Sequence, residues 1–276
     1  MSWKELEFIF NRALQFTFSK KKLCFVAAVL VCCGNLIVLC RTLAAVSGSY
    51  LALSLTFVPI FFCTAGLLAL GILLIRIYHH EVKGLPISYA RTFVSSKDLL
   101  IEVAYLSVPL VVIYFALWAL FGFFYLLKRI PLLGNALGVI FSFGPFLLLL
   151  SFFLVCCFSI FVLFFVTPSI SLKSTTRKDL VESVWNRFKF NPFSNLSLLA
   201  LAMVPLLFTT GLMVLSAVLT GKSYFEAQKT VEVGFQWFFI MLPFAILLAP
   251  SVIFFFNFSV ECHALMLKKM HREESS

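Results

Sequence analysis

The sequence predicts an all-α, polytopic membrane protein. Six transmembrane helices form three hairpins, each preceded by an interfacial amphipathic helix. Three observations carry this. The 276 residues are 62% hydrophobic and 12% charged, with mean hydropathy +1.04. A soluble domain is about a quarter charged, because its water-facing surface must be polar. The charges are also clustered: uncharged runs at 23–40, 42–75, 103–127, 130–172, 190–221 and 233–260 cover 180 residues. Finally, Lys and Arg fall overwhelmingly on alternate connections between these runs.

A helix crossing the hydrocarbon core needs about 20 mostly apolar residues. The runs place spans at about 23–43, 51–75, 103–127, 143–166, 196–219 and 236–260. In the second run Ser47, Gly48 and Ser49 read as a turn, so only the part after it crosses. The fourth run opens with Pro131, Gly134, Asn135, Gly138, Gly144 and Pro145, a poor straight helix. Residues 130–142 are therefore expected as a lipid-facing or re-entrant lead-in. β-barrel strands would show short alternating segments of about ten residues, which these continuous runs are not.

Orientation follows from Lys and Arg. The N-terminal segment, the second and fourth connections and the C-terminus hold 17, against 5 on the other connections. Both termini are expected in the cytoplasm, which requires an even number of crossings. Residues 1–22 read as an interfacial segment, 23–264 as the membrane domain and 265–276 as a cytoplasmic tail. With Glu5 and Glu7 before the first apolar run, 1–22 does not resemble a secretory signal. The expected location is the bacterial inner membrane.

The eight Cys fall almost entirely inside the spans, without a C-x-x-C. They read as small apolar helix fillers rather than a disulfide or zinc framework.

Amphipathic stretches precede the odd-numbered spans. Trp3, Leu6, Ile9, Phe10, Ala13, Leu14 and Thr17 share one helical face at the N-terminus. Leu180, Val181, Val184, Trp185 and Phe188 recur similarly in the fourth connection, where Thr176 and Asp179 resemble a capping box and Pro192 ends the run. A weaker stretch spans 88–97. The fragments 13–20 (ALQFTFSK), 90–97 (ARTFVSSK) and 185–192 (WNRFKFNP) align, each before an apolar span. They imply three repeats of an interfacial helix followed by a hairpin. Such a helix lies in the headgroup plane, with its aromatic face in the acyl boundary and its basic residues on anionic lipid. The expected lipid contacts are Trp3, Arg12, Lys20, Lys21, Lys22, Arg91, Trp185, Arg187 and Lys189.

The stretch 167–199, a proline-marked helix exit followed by the amphipathic VESVWNRF segment, resembles a bacterial family. That family comprises the six-helix membrane domains fused to some glycerophosphodiester phosphodiesterases, and free-standing relatives without assigned function. The resemblance implies a six-helix membrane topology. The catalytic phosphodiesterase domain has no counterpart in this chain, so the resemblance implies no such activity.

Motifs for metalloproteases, serine hydrolases and nucleotide-binding loops are absent from the sequence. Ionisable residues gather at span ends: His79, His80, Glu81, Glu102, Glu261 and His263. Imidazole with carboxylate suits a metal or a cationic headgroup. The preferred reading is that these residues are wet and mark where the spans stop, and no metal or other cofactor is expected. Prolines 59, 109, 145, 205, 243 and 250 permit kinks of the kind transporters use. Polar groups near the spans are few, chiefly Asn35, Gln236 and Asn257. The net charge of +10 is split among four segments and explained by insertion, not by nucleic acid. The expected partners are the bilayer and its anionic phospholipids. The leading functional expectation is a non-enzymatic protein of membrane organisation, or an accessory subunit of an envelope complex. The rivals are a permease for an apolar or lipid-like solute and a lipid-modifying enzyme using the His/Glu set.

Overall fold

The computed structural model describes residues 3–47, 49–85, 92, 94, 96, 108–109, 112–113, 115–120, 122–123, 126–127, 138–172, 177–224 and 230–274. Among them regular structure is all α-helical, with no strand. The long elements are α1 (Trp3–Gln15), α2 (Lys20–Val46), α3 (Ser49–Val82), α4 (Gly138–Leu172), α5 (Arg177–Phe190), α6 (Pro192–Tyr224) and α7 (Thr230–Glu274).

Five stretches among the described residues are long and apolar enough to cross a membrane: Lys20–Val46, Phe62–Val82, Leu149–Leu172, Pro192–Ser216 and Trp237–Met270. They correspond to five of the six expected spans. The third, at 103–127, is described at 108–109, 112–113, 115–120, 122–123 and 126–127, all of them helical, while 103–107, 130–137, Thr176 and most of the 88–97 stretch lie outside the described residues.

Local chemistry sets the helix ends. Ser47 closes α2 in an extended conformation. Gly84, at φ 65°, ends α3: Leu85 N–H donates to the His80 carbonyl at 3.0 Å and Gly84 N–H to the Glu81 carbonyl at 3.1 Å. This is the left-handed cap that glycine adopts without steric cost. Asn191 caps α6, accepting from Ser194 N–H at 3.2 Å, and Pro192 occupies the first helical position, where its missing N–H costs nothing.

Three boundaries differ from expectation. Residues 138–142 belong to α4 instead of a lead-in. Pro168 does not end α4, which continues to Leu172. Ser169 and Ser171 hydroxyls donate to the Phe165 and Thr167 carbonyls at 3.3 and 2.6 Å, satisfying acceptors around the proline. The expected C-terminal tail is largely the end of α7, helical to Glu274. At 1.5 Å per residue, its 45 residues reach about 67 Å, over twice the hydrocarbon thickness.

The long α7 packs against α1, α2, α3, α4, α5 and α6, most extensively against α2. The α2 residues buried at i, i+4 spacing are Lys22, Val26, Leu30, Gly34 and Val38, a single ridge. Gly34 lets Met241 of α7 approach. On α3, Gly71 is required: a Cβ there would overlap three ring atoms of Phe256. The core is aromatic where α7 meets α1 and α4. Phe10 lies edge-on to Phe254 and Phe258, and Phe164 packs on Phe255. These contacts account for α1. The middle of its apolar face, Ile9 and Ala13, covers the bundle's own core, while Trp3 and Leu14 of the same face stay exposed.

Candidate functional site

Ionisable residues converge where α1 packs along α7, beside the start of α2 and the end of α3. The last four carbonyls of any α-helix lack an intrahelical partner, and donors from the bundle meet two carbonyls at the end of α1. Lys22 of α2, with no exposed side-chain surface, donates to the Phe16 carbonyl at 2.7 Å and forms an ion pair with the Glu81 carboxylate. A cation placed there also complements the negative end of the α1 dipole. Asn257 of α7 donates to the Ala13 carbonyl at 3.3 Å, and the Thr17 hydroxyl donates to the same carbonyl at 2.8 Å.

Glu261 lies one turn beyond Asn257 and so shares its face of α7. Its Oε1 accepts from the buried Tyr78 hydroxyl at 2.5 Å and lies 3.5 Å from Arg12 Nε. Phe16 packs edge-on against the Tyr78 ring, centroids 5.7 Å apart. Near the start of α1, Glu5 pairs with Lys269 of α7 at 2.9 Å. The first and last helices are thus joined at two levels.

His263 stands about 200° around α7 from Glu261 and serves a second junction. Arg187 of α5 is 3% exposed. Its Nε donates to Asn195 Oδ1 at 3.0 Å and its Nη1 to His263 Nδ1 at 3.2 Å. Since a guanidinium only donates, His263 accepts at Nδ1 and carries its proton on Nε2. The cation lies 4.9 Å over the Phe165 ring. Asn195 Nδ2 returns a bond to the Arg187 carbonyl at 2.8 Å, tying α5 to α6. Burial pushes the Arg187 guanidinium down to about 10, still cationic at neutral pH.

The His/Glu set anticipated from sequence is therefore divided. Glu81 joins Lys22, Glu261 joins Tyr78 and Arg12, and His263 joins Arg187. His80 Nδ1 donates to the Arg76 carbonyl at 2.7 Å, and His79 meets the His80 ring edge-on. Glu102 lies outside the described residues. Among the described residues no group of three His, Cys, Asp or Glu side chains is placed to hold a metal ion.

The expected lipid contacts also divide. Trp3 and Trp185 are 78% and 69% exposed, and Lys20, Lys21 and Lys189 are exposed as well. Arg12 is half-buried beside Glu261, and Arg91 lies outside the described residues. Lys22 and Arg187 correct the expectation, because both are buried and bonded inside the protein. Amphipathic periodicity marks an apolar face, but it does not say whether protein or lipid covers that face. Sequence reasoning missed Tyr78 and Asn195. It also missed the role of Asn257, although its i, i+4 spacing with Glu261 was a usable sign of a shared polar face.

Two open clefts of about 510 and 500 Å3 flank α1. The first is lined by its polar face, including Asn11, Arg12 and Gln15, and the second opens toward α7. At the opposite end Arg41 lies 4.8 Å over the Trp237 ring, beside a pocket of about 120 Å3 between α2 and α7. Compared with protein-family models, curated proteins and solved structures, the chain finds no match.

Proposed function

We propose that this chain is a non-catalytic, multi-pass protein of the bacterial inner membrane, with both termini cytoplasmic and six spans in three hairpins. It acts in membrane organisation or as an accessory subunit of an envelope complex. The observation that carries this reading is the pairing at the α1 end. Lys22 with Glu81, Arg12 and Tyr78 with Glu261, and Arg187 with His263 and Asn195 join one helix to another. An acid–base catalyst needs a group directed at substrate, and a metal site needs converging ligands. Groups bonded across helix junctions instead fasten amphipathic helices into a rigid ledge beside the bilayer. Exposed Trp3 and Trp185, with Lys20, Lys21 and Lys189, suit that ledge to an anionic lipid surface.

Purified protein in proteoliposomes tests the reading against both rivals. The expected result is no solute flux above protein-free liposomes and no change in lipid composition by mass spectrometry. Solute-selective flux that Pro243→Ala abolishes would establish a permease. A lipid product that depends on Glu261 or His263 would establish an enzyme.

A further inference from the structure

The cleft between α1 and the projecting end of α7 combines an apolar floor with a basic rim. Phe8, Ile9 and Leu265 form the floor, and Lys4, Lys268 and Lys269 stand at the rim. Both acids of the cleft are already engaged, Glu5 with Lys269 and Glu261 with Tyr78 and Arg12. Lys4 and Lys268 enter no ion pair among the described residues and are exposed. The rim therefore carries positive charge that no acid among the described residues neutralises.

Its depth matches the headgroup layer. Lys22 and Arg41 are 19 residues apart on α2, about 28 Å along the axis, close to the ~30 Å hydrocarbon core. Lys22 marks the boundary at the α1 end. Its partner Glu81 sits one turn from Tyr78, which binds Glu261. Lys268 lies seven residues beyond Glu261, about 10 Å along α7, and its four-carbon stem can bend back toward the phosphates.

We propose that this cleft is a discrete site for the phosphate headgroup of an anionic phospholipid drawn from the surrounding leaflet. The phosphate lies between the ammonium groups of Lys4 and Lys268, and the lipid's first methylenes cover Phe8 and Leu265. The inference rests on the reading of the α1 end as the cytoplasmic side of a bilayer. It differs from general attraction to basic residues in naming two lysines out of many.

Native mass spectrometry of detergent-purified full-length protein, titrated with phosphatidylglycerol or phosphatidylcholine of matched chains, tests it. Wild type is expected to retain one phosphatidylglycerol in clear preference to phosphatidylcholine. At about 1 kcal/mol for each lysine, K4Q/K268Q is expected to weaken that binding roughly thirtyfold, with an unchanged melting profile. K83Q, removing an exposed lysine of the same end outside the cleft, is expected to retain it. A loss in K83Q as large as in K4Q or K268Q alone would mean diffuse attraction and overturn the site. No preference in wild type would overturn it too, as would displacement by excess inorganic phosphate, which would mark a site for soluble anions. Each failure leaves the flux and lipid-turnover results untouched, so the two readings fail separately.

Discussion

Replacing Glu81 with Gln isolates the buried ion pair beneath α1. The substitution keeps the shape of the side chain and removes its charge. Lys22, with no exposed side-chain surface, keeps the Phe16 carbonyl and an amide oxygen as neutral acceptors but loses its counter-charge. Breaking a buried pair from one side costs about 3–5 kcal/mol, since an uncompensated charge stays in a low-dielectric site. Glu81 keeps 12% of its side-chain surface exposed, and water reaching it places the expected cost near the lower bound, about 3 kcal/mol. At roughly 2–4 °C per kcal/mol for a chain of this size, the melting temperature is expected to fall by about 6–12 °C. Thermal challenge of detergent-solubilised protein, followed by size exclusion, measures it. The double variant K22M/E81L removes both charges and is expected to recover most of the loss, short of about 1 kcal/mol for the missing bond to Phe16. An E81Q melt indistinguishable from wild type, or a double variant no more stable than E81Q, would refute the reasoning.

Arg187→Lys is expected to cost about 2 kcal/mol, because a point charge cannot reproduce bonds to Asn195 and His263 together with stacking on Phe165. Faster amide exchange across 177–190 reports it, and unchanged exchange would count against the α5 junction. Gly71→Ala is expected to destabilise by about 1–3 kcal/mol. Its Cβ would lie 2.8 and 2.9 Å from two Phe256 ring atoms and closer still to a third. Adding Phe256→Leu is expected to restore part of the loss in the same melting assay, and failure to do so would place the strain elsewhere. Variants retaining only Trp3 or only Trp185 are expected to show fluorescence quenching by lipids brominated near the headgroup. Absence of quenching in both would remove these side chains from the bilayer surface.

Hydropathy was a good guide to the long elements because long uncharged runs have few solutions in lipid. The expected 23–43, 196–219 and 236–260 fall within α2, α6 and α7. The amphipathic periods at both ends of the alignment are helices, α1 and α5. The identity of what covers those helices was not legible. Ala13 meets Asn257 and Tyr78 meets Glu261 across sequence separations of 244 and 183, which no local period encodes. The run of Lys20, Lys21 and Lys22 looked uniformly basic. Yet a helix turns 100° per residue, and only Lys22 heads the buried ridge continued by Val26, Leu30, Gly34 and Val38. That ridge was readable in the sequence and would have turned Lys22 inward. Gly84 followed by Pro86 was likewise an unused sign of where α3 ends. The His/Glu grouping came from sharing one end of the spans. Facing decided the outcome, since Glu261 and His263 look to opposite sides of α7.

The docking of α1 on α7 is tested most directly by crosslinking positions 5 and 269 in native membranes. In a background with the eight native cysteines replaced, Glu5→Cys and Lys269→Cys stand where the parent side chains pair at 2.9 Å. A short bis-maleimide is expected to join them efficiently within one chain, whatever the lipid composition. Should both thiols accept a monofunctional maleimide while the bifunctional reagent yields no intramolecular link, α1 would be free of α7 and the fastened ledge would not exist.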